Sequence, residues 1–242
     1  MRIDACCTIG LASNFGESAQ DLIQNMDSID VEMVVIHPAD HFYAWENENG
    51  NQMLLDLSKK FKGRFIPTAT VNPWRPDAVE LVLKYVEMGA KMLSFSPGVQ
   101  GFNVSGNKLD PLVEAMITKD LNLPVYVHTG HHSNATPAQL LLLAERFKEI
   151  NFICGHSGST DNKPDAVISC KLVENFYLES SFARPSLFAA IIPDVGANKA
   201  IMGSGNPYNQ FIFEWQEMDG LLDEESKKSV LGGNIKKLIG LS

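Results

Sequence analysis

Residues 124–157 read PVYVHTGHHSNATPAQLLLLAERFKEINFICGHS, and this stretch decides the fold. Two apolar segments, Val125–His128 and Phe152–His156, flank a helical segment at Pro137–Lys148. The order strand, helix, strand predicts two parallel strands joined by a crossover helix. Each predicted strand ends in a histidine, and parallel strands bring their carboxyl ends to the same edge of a sheet.

The histidines at these two strand ends, His128 and His156, are the first candidates for function. Because neighbouring strands lie about 4.8 Å apart, we expect the two imidazoles within about 5–10 Å of one another. That spacing suits a shared metal ion or a shared substrate proton. The alternative is that each histidine only caps a loop, but two in successive strands, each followed by small residues, favour a functional pair.

The rest of the chain repeats the same strand–helix unit about every 30 residues, which is typical of a (β/α)8 barrel. We therefore predict an α/β fold, a single (β/α)8 TIM-barrel domain over residues 1–242; an open doubly wound sheet usually holds fewer strands in this length. The predicted strands are Arg2–Thr8, Val31–His37, Arg64–Thr70, Lys91–Ser96, Val125–His128, Phe152–His156, Phe176–Ser180 and Lys199–Met202. Residues 38–50 and 97–109 are predicted as long loops.

Composition narrows the class of partner. The net charge of −9 and the absence of a basic stripe argue against nucleic-acid binding. No run of 18 apolar residues predicts a membrane span, and no signal peptide is evident. The four cysteines form no C-x-x-C pattern, which favours a reducing, cytoplasmic location. A small-molecule substrate is therefore the expected partner, and a homo-oligomer is left open.

An ordered set of short motifs runs along nearly the whole chain. The motifs are Ile3-Asp4-Ala5, Asn51 with Leu54 and Leu55, Arg64-Phe65, Val71-Asn72-Pro73, Pro124-Val125, His128, Gly155-His156, Gly203-Ser204 and Gly233-Asn234 through Leu238. With these motifs the chain resembles amidohydrolase-related proteins of the metal-dependent hydrolase superfamily. The resemblance implies a TIM barrel that hydrolyses C–N, C–O or C–C bonds or decarboxylates aromatic acids without oxidation.

The same resemblance implies a metal site and shows where this chain departs from it. The family usually places two histidines on strand one, where this chain has Cys6 and Thr8, and an aspartate after strand eight, where it has Gly205. The implied ligands that remain are His128 and His156, with Cys6 as a thiolate. Zn²⁺ or another divalent metal would find few ligands, so we expect a degenerate site with weak or absent occupancy.

Without an acid at Gly205, another group must take the proton from an attacking water. His156 can do so because its ordinary pKa lies near neutrality, and Glu179 at the end of strand seven is a second candidate. Cys6 acting as a nucleophile with a histidine base is the metal-free alternative. Cys6 as a small buried apolar residue is the plainer interpretation, and it stays open.

Candidate substrate-binding residues follow strands two, seven and eight. His37, with the aromatic residues of the segment after it, is predicted to cover the pocket. Arg184 is a candidate to bind a substrate carboxylate through two hydrogen bonds, and an ordinary surface arginine is the alternative. Ser204 and Asn206 belong to the segment Gly203–Asn206, whose backbone N–H groups can face an anion.

These observations predict an enzyme with His128 and His156 as catalytic residues at the carboxyl-end mouth of the barrel. Its substrate would be a small organic acid, lactone or amide, and its reaction hydrolysis or decarboxylation. The alternative is a barrel of the same lineage that has lost catalysis and binds a small molecule or an anion.

Overall fold

Eight parallel strands form one sheet in chain order, each paired with the next. The structure, a computed structural model, describes residues 1–11, 18–130, 132–159 and 162–241. The strands are β1 Ile3–Ile9, β2 Met33–Pro38, β3 Phe65–Ala69, β4 Met92–Phe95, β5 Val125–His128, β6 Phe152–Gly155, β7 Phe176–Glu179 and β8 Ala200–Ile201. The last strand is the shortest, and backbone hydrogen bonds beyond its end complete the ring.

Those closing bonds join β1 to the segment after β8. Ala5 N donates to Met202 O at 2.9 Å, Gly205 N donates to Cys6 O at 2.9 Å, and Thr8 N donates to Asn206 O at 2.7 Å. The sheet is therefore a nearly closed barrel, and the predicted (β/α)8 architecture is confirmed.

Helices lie between the strands around the barrel. They are α1 Ala19–Ser28, α2 Asp40–Ala44, α3 Asn47–Lys60, α4 Ala78–Glu87, α5 Pro97–Gln100, α6 Asp110–Thr118, α7 Pro137–Arg146, α8 Lys163–Leu172, α9 Pro185–Ala189, α10 Ile192–Val195, α11 Phe211–Leu221, α12 Glu224–Lys228 and α13 Asn234–Leu238. The prediction of long loops at 38–50 and 97–109 was wrong in part, because α2, the start of α3 and α5 lie there. No helix in the described part of the chain is long and apolar enough to cross a membrane.

Local sequence explains how the crossover helix α7 begins. The Thr136 hydroxyl accepts a hydrogen bond from Gln139 N, and the Gln139 side chain accepts one from Thr136 N. This capping box, with Pro137 in the first turn, satisfies backbone donors that a helix start leaves unpaired. The helix therefore begins directly after the loop that follows β5, and that loop stays at the mouth of the barrel.

The strands separate two apolar cores. The larger core lies between the sheet and the surrounding helices. The smaller fills the barrel and includes Ile3, Ala5, Cys6, Val35, Ile66, Met92, Tyr126, Ile153 and Ile201. Successive side chains of a strand point to opposite faces, so alternate residues of each strand pack in one core or the other. Because the interior is filled, a binding site inside the barrel must lie at one of its two ends.

Candidate active site

A pocket of about 260 Å³ opens at the carboxyl ends of the strands. Its lining residues lie in or after every strand except β3: Cys6, Thr8, Pro38, Asp40, Tyr43, Ser96, Val99, His128, His132, His156, Phe182 and Tyr208. Imidazoles, hydroxyls, a thiol and a carboxylate meet aromatic and aliphatic walls there. The carboxyl-end mouth is the face at which (β/α)8 enzymes carry their active sites.

Three of the predicted site residues, Cys6, His128 and His156, meet in this pocket. The position of Cys6 depends on an irregularity in β1. Asp4 pairs with Val34 but Cys7 pairs with Ile36, so two β1 residues stand opposite one residue of β2. Such a β-bulge changes which face the following side chains occupy. The bulge lets Cys6 and Thr8 line the pocket while Cys7 packs in the outer core.

The two histidines are hydrogen-bonded directly to each other. His128 Nδ1 lies 2.8 Å from His156 Nε2. The other nitrogens are also engaged: His128 Nε2 lies 3.0 Å from Tyr43 Oη, and His156 Nδ1 lies 2.7 Å from Ser181 Oγ. Ser181 Oγ in turn lies 2.7 Å from Glu179 Oε2. A continuous chain of hydrogen bonds therefore runs from Tyr43 through both imidazoles to a buried carboxyl group.

The hydrogen bonds continue from Tyr43 to the wall of the barrel. Tyr43 Oη lies 2.6 Å from Ser94 Oγ, Ser94 Oγ lies 2.9 Å from His37 Nδ1, and His37 Nε2 lies 2.9 Å from the Ala5 carbonyl oxygen. A carbonyl can only accept, so His37 Nε2 must carry the hydrogen. Burial lowers the pKa of His37 to about 4, so the ring is neutral near pH 7 and its Nδ1 accepts from Ser94.

The donor and acceptor roles of His37 determine which group donates in each hydrogen bond between His37 and the pocket. Ser94 gives its only hydrogen to His37, so Tyr43 donates to Ser94 and accepts from His128 Nε2. With His128 neutral, its Nδ1 accepts and His156 Nε2 is the donor. In that state His156 carries a hydrogen on the nitrogen that faces His128.

Glu179 is the last group of this hydrogen-bond network on the His156 side. It is fully buried, and its Oε2 accepts from Tyr126 Oη at 2.7 Å and from His156 N at 3.0 Å. Its Oε1 accepts from Ser181 N at 2.7 Å. Burial raises the pKa of Glu179, and these donors oppose that rise. Ser181 has a single hydroxyl hydrogen between Glu179 and His156, so one proton can be held at either end by reversing that hydroxyl.

Four predicted substrate-binding residues lie outside the pocket lining. His37 is buried beneath it, and Arg184 is exposed at the start of α9. Ser204 and Asn206 are buried where the barrel closes, and Asn206 borders a separate surface groove. Substrate contact by these four residues stays a prediction.

The residues present do not fit a three-ligand metal site. Among residues 1–11, 18–130, 132–159 and 162–241, no three His, Cys, Asp or Glu side chains are grouped to hold a metal ion. Burial and the nearby Glu179 raise the pKa of the Cys6 thiol well above its usual value, which disfavours a thiolate. Gly205 has φ +74°, and a Cβ there would lie 3.0 Å from the Phe182 ring, so a side chain at this position would be strained. Metal content stays a prediction.

Sequence reasoning missed three polar residues of this hydrogen-bond network and one histidine at the rim of the pocket. Ser94 and Tyr126 lie inside β4 and β5, Ser181 follows β7, and His132 lies in the loop after β5. The available signal was their position: polar side chains in or after barrel strands, close to the carboxyl edge. Nothing local in the sequence shows which of these hydroxyls contacts which imidazole.

The buried His37 gives the fold a measurable pH dependence. Its pKa of about 4 in the folded state lies below the usual 6.5, so the unfolded chain takes up the proton first as pH falls. This contribution to stability is complete above about pH 6.5 and is lost toward pH 4, a change of about 3 kcal/mol. Asp4 and Glu179, whose pKa values burial raises, change stability in the opposite direction.

Comparison with His37→Gln isolates this effect, because both proteins keep the two buried acids. We expect the variant to be less stable than the native protein at pH 7, and the difference to shrink as pH falls from 6.5 to 4. Urea unfolding followed by tryptophan fluorescence at several pH values measures it. A constant difference between the two proteins across this range would contradict a neutral buried His37.

Solved structures with the same fold come from several bacterial enzymes. A 2,6-dihydroxybenzoate decarboxylase from Rhizobium is 14% identical with a TM-score of 0.79, over 99% of this chain and 98% of that one. A dihydroxybenzoic acid decarboxylase from Polaromonas, solved with manganese and 2-nitroresorcinol, is 15% identical with a TM-score of 0.79, over 99% and 97%. A 5-carboxyvanillate decarboxylase from Sphingomonas paucimobilis is 13% identical with a TM-score of 0.76, over 100% and 99%.

At these identities the likeness shows the fold alone. No curated protein sequence matches the chain. A family model described as amidohydrolase, however, matches residues 26–241, which is most of the chain. The resemblance inferred from the ordered motifs is thereby confirmed, and the chain belongs to the amidohydrolase family of enzymes.

Proposed function

We propose that this enzyme decarboxylates a small aromatic acid in the carboxyl-end pocket. The observation that carries the proposal is the hydrogen-bond chain from Glu179 through Ser181, His156 and His128, which reaches a pocket of about 260 Å³. Such a pocket has room for a single substituted ring. Loss of CO2 from an aromatic acid requires one proton on the ring carbon and no water. The row of hydrogen bonds from Glu179 to His128 can hold and deliver one proton.

The walls of the pocket support an aromatic substrate. Phe182 and Tyr208 face the same space, with ring centroids 6.0 Å apart, and Val99 and Pro38 add aliphatic surface. The Phe182 ring also meets His156 edge to face at 4.8 Å. A flat substrate packed on these rings would have its reacting carbon near the imidazoles. The decarboxylases of similar fold act on acids of this size, which adds support.

The step balances with the groups present. The hydrogen bond between the two imidazoles opens, a proton passes from His156 or His128 to the ring carbon that carries the carboxylate, and the carbon–carbon bond then breaks. Its electron pair restores the aromatic ring, and the carboxylate leaves as CO2. Glu179 can return a proton to His156 through Ser181, so the donor is reset from a buried group.

Hydrolysis of a lactone or amide is the less favoured reaction for this site. It requires a base that takes a proton from water, and the position where the family usually has that acid is Gly205, which cannot carry a side chain without strain. In the hydrogen-bond pattern above, His156 Nε2 donates rather than accepts. The pattern therefore suits proton delivery better than water activation.

We expect the purified enzyme to convert 2,6-dihydroxybenzoate or a similar hydroxylated benzoate to the corresponding phenol and CO2. Chromatography of resorcinol formation measures the reaction, and a protein-free sample is the control. Assays with and without added Mn²⁺ or Zn²⁺ run in parallel. Turnover of a lactone or amide panel in place of the acids would contradict decarboxylation, and saturable acid binding without any turnover would favour the binding-only barrel.

A further inference from the structure

The mouth of the pocket is chemically asymmetric. Asp40 lines it from the segment after β2, and His132 lines it from the loop after β5. These loops lie three strand positions apart in a ring of eight, so the two side chains come from nearly opposite sides. Phe182 and Tyr208 form the aromatic wall after β7 and β8. An anionic substrate group would be repelled on the Asp40 side and favoured on the His132 side.

His132 is the imidazole best placed to meet an anion from solution. The described lining contains no lysine or arginine. The ring nitrogens of His128 and His156 are already hydrogen-bonded to each other, to Tyr43 and to Ser181. His132, by contrast, is exposed at the rim of the pocket. An imidazole N–H at a solvent-accessible rim can donate to a carboxylate, and such charge-assisted bonds are the stronger ones.

A glycine on the neighbouring loop makes room for this ring. A Cβ at Gly98 would overlap the Cδ2 and Cγ atoms of His132 and would lie 2.7 Å from Nε2. Gly98 is not among the glycines with positive φ, so its backbone conformation does not itself call for glycine. A side chain at position 98 would therefore require the imidazole to move from its place.

The loop that carries His132 is also hydrogen-bonded to the segment that contains Gly98. Asn134 Nδ2 donates to Pro97 O at 3.0 Å and to Phe102 O at 2.7 Å, at the two ends of the α5 region. Ala135 N donates to His132 O at 3.1 Å, which closes a turn around the histidine. These bonds hold the backbone of the loop beside the α5 region, next to Gly98.

We propose that His132, packed on Gly98, binds the carboxylate of an aromatic acid and selects anionic over neutral ligands. The proposal rests on the proposed function only in taking a small aromatic acid as the substrate. Benzoate and benzamide are suitable probes because they share a ring and differ in charge. Calorimetric titration of both ligands into the native protein and into His132→Ala tests it without any turnover.

We expect His132→Ala to weaken benzoate binding about tenfold or more and to leave benzamide binding within about twofold. His132→Gln, which keeps an N–H donor, should recover part of the affinity. Ser133→Ala, a change at the exposed neighbouring position, is the matched control and should bind both ligands as the native protein does. Equal losses for benzoate and benzamide, or no benzoate binding by the native protein, would overturn the proposal.

A double-mutant cycle tests the role of Gly98 separately. We expect Gly98→Ala to lower benzoate affinity and melting temperature in the native background, because the new methyl group displaces the imidazole. In the His132→Ala background the same change should cost little in either measurement, because the obstructed ring is gone. Additive losses would show that position 98 acts independently of His132 and would overturn this part of the proposal.

The outcomes also separate this proposal from the proposed function. Histidine-dependent benzoate binding in a protein that decarboxylates no acid would refute the function and leave the carboxylate site standing. Decarboxylation with an unchanged KM and unchanged benzoate affinity in His132→Ala would refute the carboxylate site alone.

Discussion

Replacement of His156 by asparagine is expected to lower kcat for decarboxylation by about 10²- to 10⁴-fold, the usual contribution of a positioned general acid. His156 links the pocket to the buried carboxyl group of Glu179 through hydrogen bonds of 2.8 Å to His128 and 2.7 Å to Ser181. Asparagine is too short to span both contacts, so the chain is broken at its centre. Steady-state kinetics on the acid that the native enzyme turns over measures the effect.

Two further variants test the direction of proton supply. Ser181→Ala removes the hydroxyl between His156 and Glu179, and Glu179→Gln removes the buried acid while keeping its shape. Both should lower kcat and change its pH profile, because His156 then loses its internal proton source. Glu149→Gln, an exposed glutamate at the amino-end face, is the matched control and should leave kcat unchanged. A folded His156→Asn variant with native kcat would refute the role assigned to His156.

Replacement of Asp4 by alanine is expected to lower the free energy of unfolding by about 3–5 kcal/mol. Asp4 is fully buried, and its carboxylate accepts from Cys6 N at 2.9 Å, from Ser204 N at 3.1 Å and from Trp215 Nε1 at 2.7 Å. These donors lie in β1, in the segment after β8 and in α11. Alanine would leave all three buried and unpaired at the seam where the barrel closes.

Urea unfolding at pH 7 measures this loss. Trp215→Phe removes one donor and leaves the carboxylate with its backbone partners, so a smaller loss of about 1–2 kcal/mol is expected. Asp219→Ala is the matched control, because the ion pairs of Asp219 with described residues lie at the surface with N–O distances of 3.8–3.9 Å, and its loss should stay under about 1 kcal/mol. An Asp4→Ala variant within 1 kcal/mol of the native protein would show that the seam does not depend on this carboxylate.

Much of the barrel could be predicted from local patterns. The predicted strand Val125–His128 matches β5 residue for residue, and the other seven strands were placed within one or two residues at most of their ends. Long apolar segments separated by helical segments are a strong signal for parallel strands. The errors fall where short helices interrupt segments without a clear apolar period, as at Asp40–Ala44 and Pro97–Gln100.

The inward position of Cys6 could not be predicted from the alternation of residues within β1. Simple alternation from the start of β1 would place Ala5 and Cys7 on one face and Cys6 on the other, but Ala5 and Cys6 both belong to the core inside the barrel. The bulge that causes this is visible only in the pairing with β2. Register is a property of two strands together, and one strand's sequence does not contain it.

The sequence by itself determined the strand order of a barrel and brought His128 and His156 to one mouth, because periodicity and parallel crossovers act over short stretches of chain. Only the tertiary structure decided that His37 is a buried acceptor, that Glu179 lies under His156, and that Gly98 makes room for His132. Each of those facts is a contact between residues 23 to 57 positions apart or on separate loops. The partner of a buried polar group is set by which elements pack together, and that is decided by the whole barrel at once.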